Sequence, residues 1–190
     1  MKAVKKTNGL AGSCRLLDCL MDGIAQYGHF VFLLYGLILW FAPGKTRARR
    51  RESCLMALLS ICLCSLSSLI IGRLWKRKRP FVKAGEIWNF TGHKANSSFP
   101  SNHAMNGVAV AFQLLHDGMP GAKGIAALSG LLAFSRLFAG VHYPTDLFGG
   151  AAIAAGMGCL LNRPVIRKLA RMGVRFVDAG EARLIRWRKG

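Results

Sequence analysis

A short stretch beginning at Pro100 combines residues that can bind an anion and exchange a proton. It continues as Ser101-Asn102-His103 and lies between a polar loop and an apolar run that reaches Leu115. Proline and serine before an apolar run are typical of a helix start, with Ser101 as the N-cap. The free N–H groups of a helix start attract anions, and His103 in the first turn could exchange a proton with a bound anion. Alone, the pattern also fits an ordinary capped helix.

Two further stretches carry residues of similar chemistry. The first spans residues 73–81 and ends in Arg79-Pro80-Phe81; the second spans residues 135–146 and has the spacing Ser-Arg-x5-His-x3-Asp. Each has a simpler interpretation, because a basic run beyond a membrane span often extends to lipid headgroups and a His-Asp pair can cap a helix. The three stretches together, in this order, indicate a phosphate site more strongly than any one of them.

The composition indicates an integral membrane protein. Of 190 residues, 52% are hydrophobic, yet the formal net charge is +19. The apolar residues form blocks and the charges lie between them, as in polytopic membrane proteins. Nucleic acid is the usual partner considered for such a basic chain, but the basic residues flank apolar runs and form no single soluble face. Membrane lipids with anionic headgroups and a phosphate-bearing substrate account for the charge better.

Five apolar runs predict the helices of a membrane bundle. They cover residues 24–42, 53–72, 101–116, 124–138 and 144–161. A helix needs roughly 20 residues to cross the hydrocarbon core, so the last three runs are short and are expected to pack inside the bundle beside a site. The sequence therefore predicts an all-α, polytopic bundle of about five to six helices.

Both ends of the chain predict amphipathic segments. Residues 1–23 are expected to form an amphipathic helix on the bilayer surface, with a short soluble helix packed on the bundle as an equal alternative. Residues 162–190 are expected to form a basic amphipathic helix on an anionic membrane face; a calmodulin target is the less favoured alternative. We predict a single domain over residues 1–190 with a transmembrane catalytic core at 24–161. The tail's nine basic residues are Arg163, Arg167, Lys168, Arg171, Arg175, Arg183, Arg186, Arg188 and Lys189.

The sequence offers few ligands for a metal ion. It has only eight acidic residues, of which only Asp146 lies in a candidate stretch. None of the six cysteines belongs to a C-x-x-C pair, and we interpret them as small buried hydrophobes. Neither a metal nor another cofactor is expected.

Charge also predicts the orientation in the membrane. The positive-inside rule places the basic loop at residues 45–51 and the basic tail in the cytoplasm. The candidate loops then lie together on the opposite side.

The three stretches resemble the motifs of the phosphatidic acid phosphatase type 2 (PAP2) superfamily of membrane phosphatases: Lys-x6-Arg-Pro, Pro-Ser-Gly-His and Ser-Arg-x5-His-x3-Asp. Ser135, Arg136, His142 and Asp146 match the third motif in full. The second motif matches except that Asn102 stands where glycine is usual.

The first motif matches at Arg79-Pro80 and departs at its start. Gly72 lies seven residues before Arg79, where the motif has lysine. The leading basic role could pass to Arg73 or Lys76.

The chain length, a Leu-Asp-x-x-Met start and an Arg-Pro-Phe-Val segment resemble one branch of the family, the bacitracin-resistance type of undecaprenyl-diphosphate phosphatase. The motifs themselves cover residues 73–146. This resemblance implies a multi-pass enzyme of the bacterial inner membrane with an extracytoplasmic active site. The implied reaction converts undecaprenyl diphosphate to undecaprenyl phosphate and inorganic phosphate, which recycles the lipid carrier of cell-wall synthesis.

The resemblance also implies roles for the motif residues. His142 would attack phosphorus to form a phosphohistidine, Asp146 would orient the imidazole, and His103 would transfer protons. Arg77, two residues before Arg79, has no assigned role, and its replacement by lysine is expected to be nearly silent. Phosphate binding would fall to Arg79, Arg136, Ser101, Asn102, Arg73, Lys76 and Ser135.

Alternatives remain within and outside this class. The same motifs would serve a phosphatase of phosphatidic acid, phosphatidylglycerol phosphate or lipid A. A non-catalytic lipid-phosphate-binding or transport protein is the alternative of a different class, and the intact His103, His142 and Asp146 weigh against it. In the loop before Pro100, His93 and its aromatic neighbours are expected to serve packing, with substrate contact as the less favoured alternative.

Overall fold

The computed structural model describes residues 1–187, apart from the side chain of Ile185. Within this range the chain contains α-helices and no strand, which confirms the predicted all-α class. Six helices have 15 or more residues and two are short. The helices are α1 Lys2–Asn8, α2 Arg15–Phe41, α3 Arg47–Leu74, α4 Pro80–Lys83, α5 Asn102–His116, α6 Ala122–Phe138, α7 Pro144–Leu161 and α8 Pro164–Trp187.

Three helices of the described chain, α2, α3 and α7, are long and apolar enough to cross a membrane by length and composition. The other two predicted spans correspond to α5 and α6, with 15 and 17 residues. At about 1.5 Å per residue, these helices are shorter than a hydrocarbon core of about 30 Å.

Helix α5 lies at the centre of the bundle and packs against α2, α3, α6 and α7. Its buried Met105 and Ala109 form one cluster with Cys64 of α3 and Ala154 of α7. Close approach of α7 depends on glycine: a Cβ at Gly150 would lie 2.9 Å from Met105 Cγ. Small residues thus bring the starts of α5 and α7 together, as expected for membrane helices.

The N-terminal segment differs from the single amphipathic helix predicted for residues 1–23. Helix α1 ends at Asn8, and α2 begins at Arg15 and continues without a break through the first predicted span. Asn8 fixes α1 on the bundle, because its amide group donates to the carbonyl oxygens of Trp88 and Phe138, each at 2.9 Å. The packed alternative therefore describes α1 better than a surface helix does.

The C-terminal segment forms the predicted amphipathic helix, α8, and one face of it docks on α3. Ala170 and Val174 are buried on this face, while Phe176 on the opposite face is exposed. The described part of the tail ends at Trp187, so Arg188 and Lys189 lie outside the described residues.

A buried arginine connects α3 to α8. The side chain of Arg51 is fully buried and donates to the carboxylates of Asp178 and Glu181, the latter at 2.8 Å. Its Nε also donates to the Trp40 carbonyl at 3.1 Å, and its guanidinium lies 5.0 Å from the Trp40 ring centroid. The cytoplasmic end predicted from charge is thus held by ion pairs within the protein.

The six cysteines are all free, and the expectation that they are buried is wrong for most of them. Cys64 is buried and Cys54 is half-buried. Hydrophobic side chains on membrane helices can face outward without an energetic cost from water, so an apolar run does not by itself imply burial. The exposed cysteines are Cys14, Cys19, Cys62 and Cys159.

Candidate active site

Three loops converge where α3 and α6 end and α5 and α7 begin. They surround a cavity of about 430 Å³, which we call the polar cavity. His142 and His103 both line this cavity, together with Arg79. Its other polar lining residues are Ser65, Ser68, Arg73, His93, Asn96, Ser97 and Asn102.

His142 lies in the turn between α6 and α7 and is 2% exposed. Its Nδ1 is 2.8 Å from the carbonyl oxygen of Ser98, and its Nε2 is 3.1 Å from Nη1 of Arg79. A carbonyl oxygen can only accept a hydrogen bond, so Nδ1 carries the proton. Nε2 therefore carries the lone pair and accepts a hydrogen bond from Nη1 of Arg79.

Asp146, in the first turn of α7, is fully buried and accepts hydrogen bonds from three groups. Its Oδ2 accepts from the backbone N–H of Tyr143 at 2.9 Å and from the hydroxyl of Ser98, and its Oδ1 accepts from Nη1 of Arg77 at 2.7 Å. The distance from Oδ2 to Nδ1 of His142 is 3.5 Å, longer than a normal hydrogen bond. Asp146 thus holds the hydroxyl of Ser98, and the carbonyl oxygen of Ser98 orients His142. The direct hydrogen bond between Asp146 and His142 that the sequence predicted is absent, because the two atoms are too far apart.

Arg79 is held on both sides of its guanidinium. Nε and Nη2 donate to Oδ1 of Asn96 at 3.0 and 2.8 Å, and Nη1 donates to the carbonyl oxygen of Val141 at 2.8 Å. Burial lowers its pKa to about 10, with a further contribution from the charge of Arg136. Arg79 therefore remains a cation at neutral pH, with Nη1 directed at the His142 imidazole.

The environment keeps His142 neutral. Burial lowers its pKa from 6.5 to about 4, and the positive charges of Arg79 and Arg136 act in the same direction. The carboxylate of Asp146 opposes this shift without reversing it. An attacking imidazole must be unprotonated at the reacting nitrogen, and His142 meets this condition at neutral pH.

The start of α5 places His103 and Asn102 on the wall of the polar cavity. Ser101 is the N-cap, as predicted, but its buried hydroxyl makes no hydrogen bond within residues 1–187. Its N–H donates to the main-chain oxygen of Asp146 at 3.3 Å, which ties the starts of α5 and α7 together. Ser101 itself does not line the cavity.

Residues 53–168 match the sequence pattern of the PAP2 superfamily. This chain belongs to the PAP2 superfamily. The match spans all three motifs, and it confirms the resemblance seen in the sequence and a membrane lipid phosphatase as the class of protein.

Curated relatives and a solved structure give the same assignment. Undecaprenyl-diphosphatase BcrC of Bacillus subtilis is 28% identical over 181 residues, which cover 92% of this chain and 90% of that protein. Decaprenylphosphoryl-5-phosphoribose phosphatase of Mycobacterium tuberculosis is 33% identical over 140 residues, covering 74% and 76%. The crystal structure of the transmembrane PAP2 type phosphatidylglycerolphosphate phosphatase from Bacillus subtilis matches with a TM-score of 0.62 and 26% identity, covering 84% and 81%.

Several of the predicted phosphate-binding residues lie off the wall of the polar cavity. The hydroxyl of Ser135 donates within α6 to the carbonyl of Leu132 at 2.8 Å, and Nη1 of Arg136 donates to the carbonyl of Ala25 at 3.2 Å. Lys76 lines a smaller adjoining cavity of about 230 Å³. Of the two cations considered for the start of the first PAP2 motif, Arg73 lines the polar cavity and Lys76 does not.

Arg77 occupies a position that sequence reasoning missed. Besides its bond to Asp146, its Nη1 donates to the hydroxyl of Thr145 at 2.9 Å, and its guanidinium lies 4.2 Å from the Tyr143 ring centroid. The expectation that Arg77→Lys would be silent assumed that Arg77 makes no contact within the site. These contacts contradict that assumption. No sequence signal separates Arg77 from its basic neighbours, because all four residues from 76 to 79 are cations.

Asn96 and Ser98 were also missed as supports of the site. Both belong to the polar loop before Pro100, and this position is the only feature of the sequence that could have indicated their role. His93, assigned to packing, lines the polar cavity with its ring centroid 6.4 Å from that of His142. Within residues 1–187, no three His, Cys, Asp or Glu side chains cluster as metal ligands.

Proposed function

We propose that this protein hydrolyses undecaprenyl diphosphate to undecaprenyl phosphate and inorganic phosphate through a phosphohistidine on His142. The observation that carries the covalent mechanism is the fixed tautomer of His142. Nδ1 donates to Ser98, which leaves the Nε2 lone pair beside Nη1 of Arg79 in the polar cavity.

In the first step, Nε2 of His142 attacks the terminal phosphorus. The N–P bond forms as the bond from phosphorus to the bridging oxygen breaks, and undecaprenyl phosphate leaves. His103 donates a proton to that leaving group, as a general acid. The ring of His142 gains positive charge, which the carboxylate of Asp146 stabilises from 3.5 Å.

In the second step, water replaces His142 on phosphorus. His103, now unprotonated, accepts a proton from the water as its oxygen attacks. The N–P bond breaks, and inorganic phosphate is released with the His142 lone pair restored.

The transferred phosphoryl group needs positive charge around its equatorial oxygens. Arg79, Arg73 and Asn102 line the polar cavity and supply donors there. Arg136 contributes through its charge, which already lowers the pKa of His142. We also propose, from the PAP2 motifs, that Ser101 and Ser135 contribute to phosphate binding. Lys76 is a second candidate for the leading cation of the first motif.

Similarity over nearly the full length of undecaprenyl-diphosphatase BcrC supports a polyprenyl diphosphate as substrate. The Mycobacterium tuberculosis relative, whose name specifies a decaprenylphosphoryl substrate, also supports a polyprenyl carrier. We place the protein in the bacterial inner membrane with its active site on the extracytoplasmic side. There it would recycle the lipid carrier for peptidoglycan synthesis and contribute to bacitracin resistance.

Phosphate release by the purified protein in detergent tests the proposal. The substrates are undecaprenyl diphosphate labelled in its terminal phosphate, phosphatidic acid, phosphatidylglycerol phosphate and lipid A, each with and without EDTA. We expect the highest kcat/KM for undecaprenyl diphosphate and no effect of EDTA, because arginines supply the positive charge. Rapid quenching should trap an acid-labile, base-stable phosphoenzyme that is absent in His142→Ala. In His103→Ala, turnover should fall by about 10²–10⁴-fold through loss of proton transfer.

Four results would contradict parts of this proposal. A higher kcat/KM for another lipid would refute the substrate, and activity lost in EDTA but restored by magnesium would refute the metal-independent mechanism. An adduct formed by His142→Ala and not by His103→Ala would reverse the roles of the histidines. Inversion at phosphorus without any adduct would show direct attack by water.

A further inference from the structure

A second cavity, of about 440 Å³, lies between α2, α3 and α5. Its lining is largely apolar and includes Phe32, Leu58, Ile61 and Val110. We call it the apolar groove. Its volume is that of a typical small-molecule site, about 300–1,000 Å³, and its lining suits a hydrocarbon chain.

Two pairs of side chains connect the apolar groove to the polar cavity. His29 lines the groove and His103 lines the polar cavity, and their ring centroids are 6.0 Å apart. Asn106 lines the groove and Ser65 lines the polar cavity, and Nδ2 of Asn106 donates to the Ser65 hydroxyl at 3.1 Å. His29 and Asn106 therefore mark the end of the groove that meets the site.

His29 is an ionisable side chain within a helix that is long and apolar enough to span the membrane. Such residues are rare and usually functional, because a polar group in hydrocarbon is costly without a partner. The His29 ring makes no hydrogen bond to any part of the described chain, and its nearest aromatic neighbours are Phe30 and His103. None of the three PAP2 motifs includes it, so the proposed mechanism leaves its N–H group unused.

The direction of the proposed reaction tells which part of the substrate would lie beside His29. His142 attacks the terminal phosphorus, and His103 lies on the side of the leaving group. In a lipid diphosphate, the leaving group begins with a second phosphoryl, which carries the hydrocarbon chain. If the chain occupies the apolar groove, that second phosphoryl lies between the two cavities, next to His29 and Asn106.

We infer that His29, with Asn106, binds the leaving phosphoryl group of a lipid diphosphate and makes the site prefer diphosphates to lipid monophosphates. This inference rests on the proposed phosphatase function. A lipid monophosphate has a carbon-bound oxygen at this position and no phosphoryl oxygens to accept the imidazole N–H. His29 therefore improves the binding of lipid diphosphates and leaves the binding of lipid monophosphates unchanged.

The test compares two substrates with the same chain, farnesyl diphosphate and farnesyl phosphate. His29→Phe keeps a ring and removes the N–H, so kcat/KM for the diphosphate should fall about tenfold, as for a lost hydrogen bond to a charged group. For the monophosphate, kcat/KM should change less than twofold. His29→Gln, which retains an N–H donor, should recover part of the loss. Tyr27→Phe is the matched control, because Tyr27 is exposed on α2 and lies outside the groove lining.

A binding measurement makes the result independent of turnover. The dissociation constant of farnesyl methylenediphosphonate, measured by calorimetry, should rise about tenfold in His29→Phe, and that of farnesyl phosphonate should not change. Equal changes for both compounds, or no change for either, would overturn the inference. If the parent protein hydrolyses no isoprenoid diphosphate, the proposed function fails instead, and the direct binding of the two phosphonates to the same protein still decides the role of His29.

Discussion

Among single residues, Asp146 connects several parts of the site, because its carboxylate accepts hydrogen bonds from three other residues. A fully buried carboxylate needs compensating donors, and here it has the N–H of Tyr143, the hydroxyl of Ser98 and the guanidinium of Arg77. Through Ser98, these donors fix the imidazole of His142. A change at Arg77 should therefore affect catalysis although Arg77 does not line the polar cavity.

We predict that Arg77→Met lowers kcat/KM on the order of tenfold or more, because it leaves the buried Asp146 charge without its cation. Arg77→Lys should be intermediate, since an ammonium keeps the charge but lacks the planar group that lies over Tyr143. The assay is phosphate release from the preferred lipid. Lys78→Met is the control: Lys78 is exposed and makes no hydrogen bond or ion pair with the described residues. Equal activity of Arg77→Met and Lys78→Met would show that Asp146 needs no such partner.

The residues predicted from the sequence are those whose chemistry is tied to a spacing. His142 and Asp146 are four residues apart at a helix start, and His103 follows a proline at another helix start, so the spacing and order of these stretches, together with their resemblance to the PAP2 motifs, predicted them. Ser98 and Arg77 act through contacts 44 and 69 positions along the chain. No local pattern encodes such contacts, which depend on how α5 and α7 pack.

At the scale of helices, α8 is held on α3 by Arg51 and its carboxylate partners. The apolar periodicity of the tail predicted this helix, but its docking was not predictable, because Asp178 and Glu181 pair with a residue more than 120 positions earlier. The start of α2 was missed for a related reason. Its first turns carry Asp18 and Asp22, which end the apolar run but not the helix.

We predict that Arg51→Met lowers the free energy of unfolding by about 2 kcal/mol, measured in detergent. Loss of one partner of a fully buried ion pair costs about 3–5 kcal/mol. The loss here should be smaller because the side chains of Asp178 and Glu181 remain 35% and 32% exposed and can be solvated. Proteolysis should also release α8 more readily, with kcat unchanged because the ion pairs lie at the opposite end of the bundle. Arg175→Met, at an exposed position on α8, is the control; equal stability of the two variants would contradict the prediction.

At the scale of the whole molecule, the site and the α3–α8 ion pairs lie at opposite ends of the bundle. The loops around the polar cavity follow the end of α3, whereas Arg51 lies near its start. Helix α1 lies at the same end as the site, because Asn8 bonds to the carbonyl oxygen of Phe138, the last residue of α6. A single pair of labelling positions can therefore test the orientation of the whole protein.

We predict that, in intact cells, an impermeant thiol reagent labels Lys94→Cys and not Lys45→Cys, both in a cysteine-free background. Both lysines are exposed. They are better positions than the neighbouring Gly92 and Gly44, whose φ angles of +61° and +117° would strain a side chain. Labelling of both positions after cell lysis is the control. Labelling at position 45 alone in intact cells would place the active site in the cytoplasm.

The bonds that hold His142, Arg79 and Asp146 join parts of the chain that the ribosome synthesises at different times. Arg79 bonds to Val141, 62 positions later, and Arg77 bonds to Asp146, 69 positions later. A nascent chain that has inserted α2 to α5 therefore carries the first two motifs but lacks His142, the proposed nucleophile. Under the proposed mechanism hydrolysis can begin only after α7 has entered the bilayer, so enzymatic activity would report the insertion of α7.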